Sequence, residues 1–318
     1  MGDIDVFNGD ADGICALLQL RQLEPRASRL ITGVKRDISL LDKVQCNAGD
    51  RVTVLDISLD KNRESLLRLL QAGGHVFYVD HHYPGEIPVH PQLEALINTS
   101  PEVSTSALVN GRLKGARAGW AVVGCYGDNL DQTAEKIAAT LPVGPDLAHL
   151  KALGVMINYN GYGEQVADLH FAPDELFRRL LPFDDPSLCL KEDPDLMATL
   201  QQAYDDDMRC AEKAPRLLED DVLSVIELPD APWARRVSGV YGNYLANSFP
   251  DRAHAVLTDI PEGYLVSVRA PLNNRTGADE VCRQFATGGG RAAAAGINCL
   301  PGEEVDTLVD ALRRQYAR

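Results

Sequence analysis

The chain has 318 residues, 45% of them hydrophobic and 24% charged, with a formal net charge of −15. That length argues for two domains rather than one core, and no apolar run approaches a membrane span. The acidic balance disfavours a surface for long nucleic acid, which is gripped by Lys and Arg lining an extended groove; any phosphate must be met locally, by a few arginines, backbone N–H groups or cations.

Ile4 to Phe7 reads as a short strand, Asn8-Gly9-Asp10-Ala11-Asp12-Gly13 as a tight acidic loop, and Ile14 to Leu20 as helical. Asp10 and Asp12 suit capping of the first turn, and Asp-x-Asp-Gly also suits a hard cation, although the downstream positions of an EF-hand are missing. Ser28 to Val34 is a second strand candidate. Arg51 to Leu55 is a third, closed by Asp56. Lys61 to Ala72 is an amphipathic helix stopped by Gly73-Gly74, and Val76 to Val79 is the next strand, ending in Asp80-His81-His82. Strands alternating with helices imply right-handed crossovers and a mostly parallel sheet, which puts the strand-end groups Asp10, Asp12, Asp56 and Asp80-His81-His82 on one edge. Independent surface acids have no reason to recur there, so a shared metal site is expected.

Helices are expected over Glu102 to Leu113, Ala116 to Tyr126 and Leu147 to Ile157, with a break at Gly127-Asp128-Asn129 and a loop at Asn158 to Gly163. Asp128 becomes another ligand if its helix packs over the cluster. Pro182 to Asp195, rich in Pro and Asp, marks a boundary, and Leu196 to Leu218 a solvated helical connector. The division expected is 1–190, a linker at 191–220, and 221–318. The second domain carries strand candidates Val222 to Leu228, His254 to Thr258 and Tyr264 to Ala270, a helix at Gly239 to Asn247, a helix capped by Thr276 and running through Phe285, and a closing helix Glu303 to Tyr316. Between them, Gly288-Gly289-Gly290-Arg291 precedes a helix-like alanine run, an arrangement that lets backbone N–H groups approach a phosphate; it lacks the Gly-Lys-Ser/Thr ending of a P-loop. Arg269 is the best second clamp, since guanidinium matches phosphate geometry. Seven scattered cysteines without a Cys-x-x-Cys pair, and no secretory leader pattern at the N-terminus, fit free thiols in the cytoplasm. The fold class is α/β: a doubly wound, mostly parallel N-terminal sheet and a smaller α/β C-terminal domain joined by a helical connector.

The order of Gly9-Asp10-Ala11-Asp12-Gly13, Leu55-Asp56, Val79-Asp80-His81-His82, Gly127-Asp128 and Gly288-Gly289-Gly290 with Ala294-Ala295-Gly296 resembles the DHH phosphoesterase superfamily with its DHH-associated C-terminal domain. The resemblance covers nearly the whole chain. It implies a divalent-metal-dependent phosphoesterase acting through metal-activated water on small nucleotides or short oligonucleotides. It further implies one or two ions, manganese first and magnesium as the alternative. By that likeness Asp10, Asp12, Asp56, His81 and Asp128 are metal ligands, with Asp56 bridging. His82 contacts the scissile phosphate or protonates the leaving oxygen, and Asp80 orients both imidazoles. Arg269, Gly288, Gly289, Gly290 and Arg291 hold the non-reacting phosphate, and Asn8 joins the substrate-facing set. Two departures stand out: relatives carry histidine two or four residues before the first motif aspartate, where this chain has Asn8 and Val6, and histidine where it has Arg291. The competing expectation is a nucleotide-binding or regulatory protein of the same fold with weakened catalysis. A homodimer is left open, and no membrane partner is expected.

Overall fold

The computed structural model describes residues 2–141 and 146–317. The chain divides into two compact units, Met1–Gln201 and Gln202–Arg318. In the first, a five-stranded sheet of order β2-β1-β3-β4-β5, all parallel, is built from β1 (Asp3–Phe7), β2 (Arg29–Ile31), β3 (Arg51–Leu55), β4 (His75–Asp80) and β5 (Leu93–Ile97). Helices α1 (Ala11–Leu23) and α2 (Leu59–Gln71) are the crossovers. Successive strand side chains face opposite ways. Val6, Val54 and Tyr78 pack with α2 in one core, and Phe7, Leu55 and Val79 pack with α1 in another, so the sheet is covered on both faces.

The α1 face is thickened by α3 (Thr105–Arg112), α4 (Ala118–Gly127), α5 (Asp131–Ala138), α6 (Leu147–Asn160), α7 (Pro173–Leu180) and α8 (Pro186–Glu192). A polar group is sealed into this layer: Arg21 of α1 donates from Nε and Nη2 to the Asp5 carboxylate of β1 at 2.7 and 2.6 Å, and from Nη2 to Thr53 Oγ1 of β3 at 2.9 Å. Helix α9 (Pro194–Glu212) runs across the division between the units.

In the second unit a mixed six-stranded sheet has the order β10-β11-β9-β8-β7-β6, from β6 (Arg216–Glu219), β7 (Leu223–Leu228), β8 (Ala253–Ile260), β9 (Gly263–Arg269), β10 (Gly288–Gly290) and β11 (Ala294–Leu300). It is accompanied by α10 (Pro232–Ser248), α11 (Ala278–Cys282) and α12 (Val305–Tyr316). The fold is α/β, as the alternation of strands and helices implies.

Several local expectations are corrected. The connector helix ends at Glu212, and Arg216–Glu219 is a strand that pairs with β7. The segment from Asn158 continues α6 to Asn160, because the Asn160 side chain, fully buried, is satisfied by His170 N, Phe171 N and Phe171 O. The cap of α11 is Gly277, in the left-handed region at φ 84°, while Thr276 turns its hydroxyl to Asn274 Oδ1 at 2.7 Å. The alanine run enters β11, and the three glycines form β10, so the two make an antiparallel hairpin instead of a loop before a helix. Among the described residues no helix is long and apolar enough to cross a membrane.

Candidate metal centre

Parallel strands leave their carboxyl ends on one edge, and β1, β3 and β4 are immediate neighbours in the sheet. Their ends therefore deliver Asp10, Asp56 and Asp80-His81-His82 to one place, and Asp128, at the C-cap of α4, joins them. His81 is the hub. Its Nδ1 lies 2.6 Å from the carbonyl oxygen of Val103, which only accepts, so in the neutral ring the proton sits on Nδ1 and Nε2 keeps its lone pair. Around Nε2 stand Asp56 Oδ1 at 3.3 Å, Asp128 Oδ2 at 3.6 Å and Asp12 Oδ2 at 3.9 Å. All of these groups are buried or nearly so.

Each carboxylate is held by a device of its own. Asp12 lies in the first turn of α1 and accepts from the backbone N–H groups of Thr105 and Ser106 at 2.6 and 2.8 Å, so the positive end of α3 fixes it. Asp10 caps α1 by accepting from Gly13 N at 3.0 Å. Asp56 accepts from Thr105 Oγ1 at 3.2 Å, and its backbone is left-handed at φ 59°, a conformation that costs an L-residue about 1 kcal/mol and turns the chain sharply as it leaves β3. Burial first, and the neighbouring Asp128 second, push the Asp12 carboxyl above the ordinary carboxylate range. Burial, then Asp10 and Asp12, push Asp56 well above it. Desolvated like charges of this kind call for a cation.

The donor set suits a divalent ion. Imidazole Nε2 and carboxylates from Asp12 and Asp128 form one group of potential ligand atoms within 4.8 Å of one another, and Asp56, His81 and His82 form another. His82 differs from His81 in support and exposure. Its Nδ1 is 2.7 Å from Asp80 Oδ1, and about a third of its side chain is exposed. Asp80 therefore steadies His82 alone, since His81 is held by Val103 instead; the second oxygen of Asp80, Oδ2, is buried with no hydrogen-bond partner.

On the far side of Asp128 stands Lys35. Its Nζ bonds to Asp10 Oδ2, lies 2.9 Å from Asn158 Oδ1, and is 3.4 Å from Asp128 Oδ1. Burial opposes the Lys35 charge, but Asp10, Tyr162 and Asp128 together raise its pKa above the usual lysine value. Sequence reasoning missed Lys35 and read Asn158 only as the start of a loop. Asn8, expected to face substrate, is buried and donates from Nδ2 to the Lys35 carbonyl at 3.2 Å, so it positions the lysine's main chain.

Arg269, Gly288, Gly289, Gly290 and Arg291 lie in the second unit. Arg269 ends β9 beside Ala294, and the turn closes with Arg291 N donating to Ala294 O at 2.9 Å, so the two arginines share one end of the sheet. The Arg269 guanidinium donates to Asn243 Oδ1 at 2.6 Å and to the carbonyls of Gly239 and Val268, both at 3.0 Å. Packing explains two of the glycines. A Cβ on Gly288 would stand 1.7 Å from Cys282 O, and Gly290 has φ 141°.

No protein-family model matches the chain, and no curated protein matches it in sequence. Its structure is similar to solved ones. A DHH-domain protein described as a member of the s1p family of ribosomal proteins superposes with a TM-score of 0.65 at 12% identity, over 99% of this chain and 86% of that one. RecJ from Thermus thermophilus in complex with Mn2+ gives 0.58 at 18% identity, over 98% of this chain and 52% of that one, so the chain spans about half of that RecJ. A pGpG-specific phosphodiesterase from Vibrio cholerae gives 0.53 at 15% identity, over 99% and 98%. The chain has the fold of these DHH-domain and RecJ structures.

Proposed function

We propose that this protein is a divalent-metal-dependent phosphoesterase that hydrolyses small nucleotides or short oligonucleotides. The observation that carries the reading is the buried, acceptor-only ring about His81 Nε2, with Asp56, Asp128 and Asp12 at 3.3, 3.6 and 3.9 Å. Those four side chains would hold the ion, manganese first and magnesium as the alternative. When bound, such an ion supplies Lewis-acid stabilisation of a phosphoryl oxygen and lowers the pKa of coordinated water. Asp56 Oδ1 lies 3.3 Å from His81 Nε2 and 3.9 Å from His82 Nδ1, so it would bind the ion on the side of His82. Val103 keeps the His81 proton on Nδ1. Asp80 holds the partly exposed His82 ring by Nδ1, so its Nε2 is the atom free to meet the scissile phosphate and hand a proton to the leaving oxygen. In the C-terminal unit, Arg269, Arg291 and the glycine hairpin would take the non-reacting phosphate. The net charge of −15 favours short substrates over long nucleic acid.

Purified protein supplied with manganese should hydrolyse members of a dinucleotide panel and a chromogenic phosphodiester, and a chelator should stop both reactions. Asp56→Ala should abolish turnover and lower bound metal; full activity in that variant sinks the assignment. Arg269→Ala should raise KM for dinucleotides far more than for the chromogenic diester, whereas equal loss on both would move Arg269 to the reacting centre. Tight nucleotide binding with no hydrolysis of any substrate would make the protein a non-catalytic binder.

A further inference from the structure

We propose that the Lys35 ammonium takes the place of one of two metal ions, so that the centre binds a single divalent cation beside a cation built into the chain. This rests on the carboxylate–imidazole cluster being a metal centre. Asp128 shows the division of space: Oδ2 is 3.6 Å from His81 Nε2, while Oδ1 is 3.4 Å from Lys35 Nζ. On the lysine side, Asp10, Asp128 and Asn158 bring oxygens from the β1–α1 junction, the end of α4 and the end of α6 onto one point, as ligands to an ion would. An ammonium offers donors only and cannot ligate. A divalent ion bonded to the same oxygens at about 2.1 Å would lie within bonding distance of Nζ, so the two cations exclude each other.

The lysine is fixed there by its main chain as well as by its charge. Lys35 N donates to Gly161 O at 2.7 Å, and its carbonyl accepts from Asn8 Nδ2 at 3.2 Å. The position whose counterpart would offer an imidazole thus serves to hold the lysine. The phosphate would meet one exchangeable ion and one permanent point charge. The ammonium needs no loading, although it cannot lower the pKa of a water as a metal does.

The test is the number of Mn2+ ions bound per chain at saturating metal, by equilibrium dialysis with elemental analysis. The wild type should hold one. Lys35→Glu, which turns the cage into a third carboxylate, and Lys35→Gln, which removes the charge and keeps a polar side chain, should each hold two, while Lys35→Arg should stay at one. If Lys35→Glu does not fold, Lys35→Gln decides. Two ions in the wild type overturn the inference, as does one ion in Lys35→Gln when that variant melts like the wild type. No bound ion in the wild type overturns the metal centre and this inference together. One ion without turnover of any phosphodiester overturns only the phosphoesterase reading and leaves the lysine's role standing.

Discussion

Replacing Gly127 by alanine puts a methyl group where three helices already touch. The added Cβ would stand 2.3 Å from the Cβ of Ala11 on α1 and 3.0 Å from the carbonyl oxygen of Gly154 on α6. Carbon atoms in ordinary contact are about 3.5 Å apart, so α1 and α4 must separate by about 1.2 Å at this point, and α6 blocks the easy escape. Overpacking of this kind costs about 1–3 kcal/mol. Alanine returns about 1 kcal/mol through helix propensity, which leaves a net loss of up to about 2 kcal/mol. For a unit of this size that corresponds to a fall in Tm of up to about 8 °C. The effect on metal should be larger. Asp128 is the next residue and Ala11 stands between Asp10 and Asp12, so the separation moves carboxylates of both helices, against a tolerance of about 0.2 Å for metal–ligand distances. Mn2+ affinity should fall about 10–100-fold, the usual size of a disturbed ligand support. Calorimetric titration with Mn2+ and thermal melts with and without the ion measure the two quantities. Wild-type affinity together with a wild-type Tm would refute the argument that helix contact at Gly127 sets the position of Asp128.

Asp5→Ala should destabilise the first unit by about 3–5 kcal/mol in urea unfolding, because it strands the Arg21 guanidinium in the α1 layer with only the neutral Thr53 hydroxyl and Glu24 carbonyl as partners; a loss under about 1 kcal/mol would show that water reaches the arginine. In the second unit, burial lowers the His254 pKa from 6.5 to about 4. A depressed folded value means that its stabilising contribution is present above pH 6.5 and is lost as pH falls toward 4, with a full loss of about 3 kcal/mol. His254→Leu should flatten the pH dependence of stability in that window, and an unchanged profile would exclude His254 as its source.

What could be read from the sequence follows from how each signal is made. Val52, Val54 and Leu55 are buried, so β3 reads as an apolar run and its closing Asp56 stands out. The same holds at Asp80-His81-His82, where a buried strand meets polar residues. By contrast, β5 is half-exposed Leu-Glu-Ala-Leu-Ile, without alternation and with helix-forming residues, and nothing local marks it as a strand. The alanine run has helical propensity, and pairing with β9 and β10 overrides it. Lys35 was invisible because its meaning is entirely non-local: its partners Asp10, Asp128 and Asn158 are 25, 93 and 123 residues away in the chain. Beside Arg36 and Asp37 it reads as one more surface charge. The Val103 carbonyl that fixes His81 is likewise a backbone atom, for which no residue type gives a sign.

The left-handed turn at Asp56 makes that position choosy about shape as well as charge. Asparagine and glycine enter this region of backbone space most readily, and β-branched side chains resist it. A saturation library at position 56 should therefore sort along two independent axes. Asn and Gly should fold and lose the ion, Glu should keep a charge but strain the chain and overshoot, and Val or Ile should fail at the backbone before chemistry is asked of them. A single angle at the end of one strand thus narrows the acceptable residues further than a need for a carboxylate would.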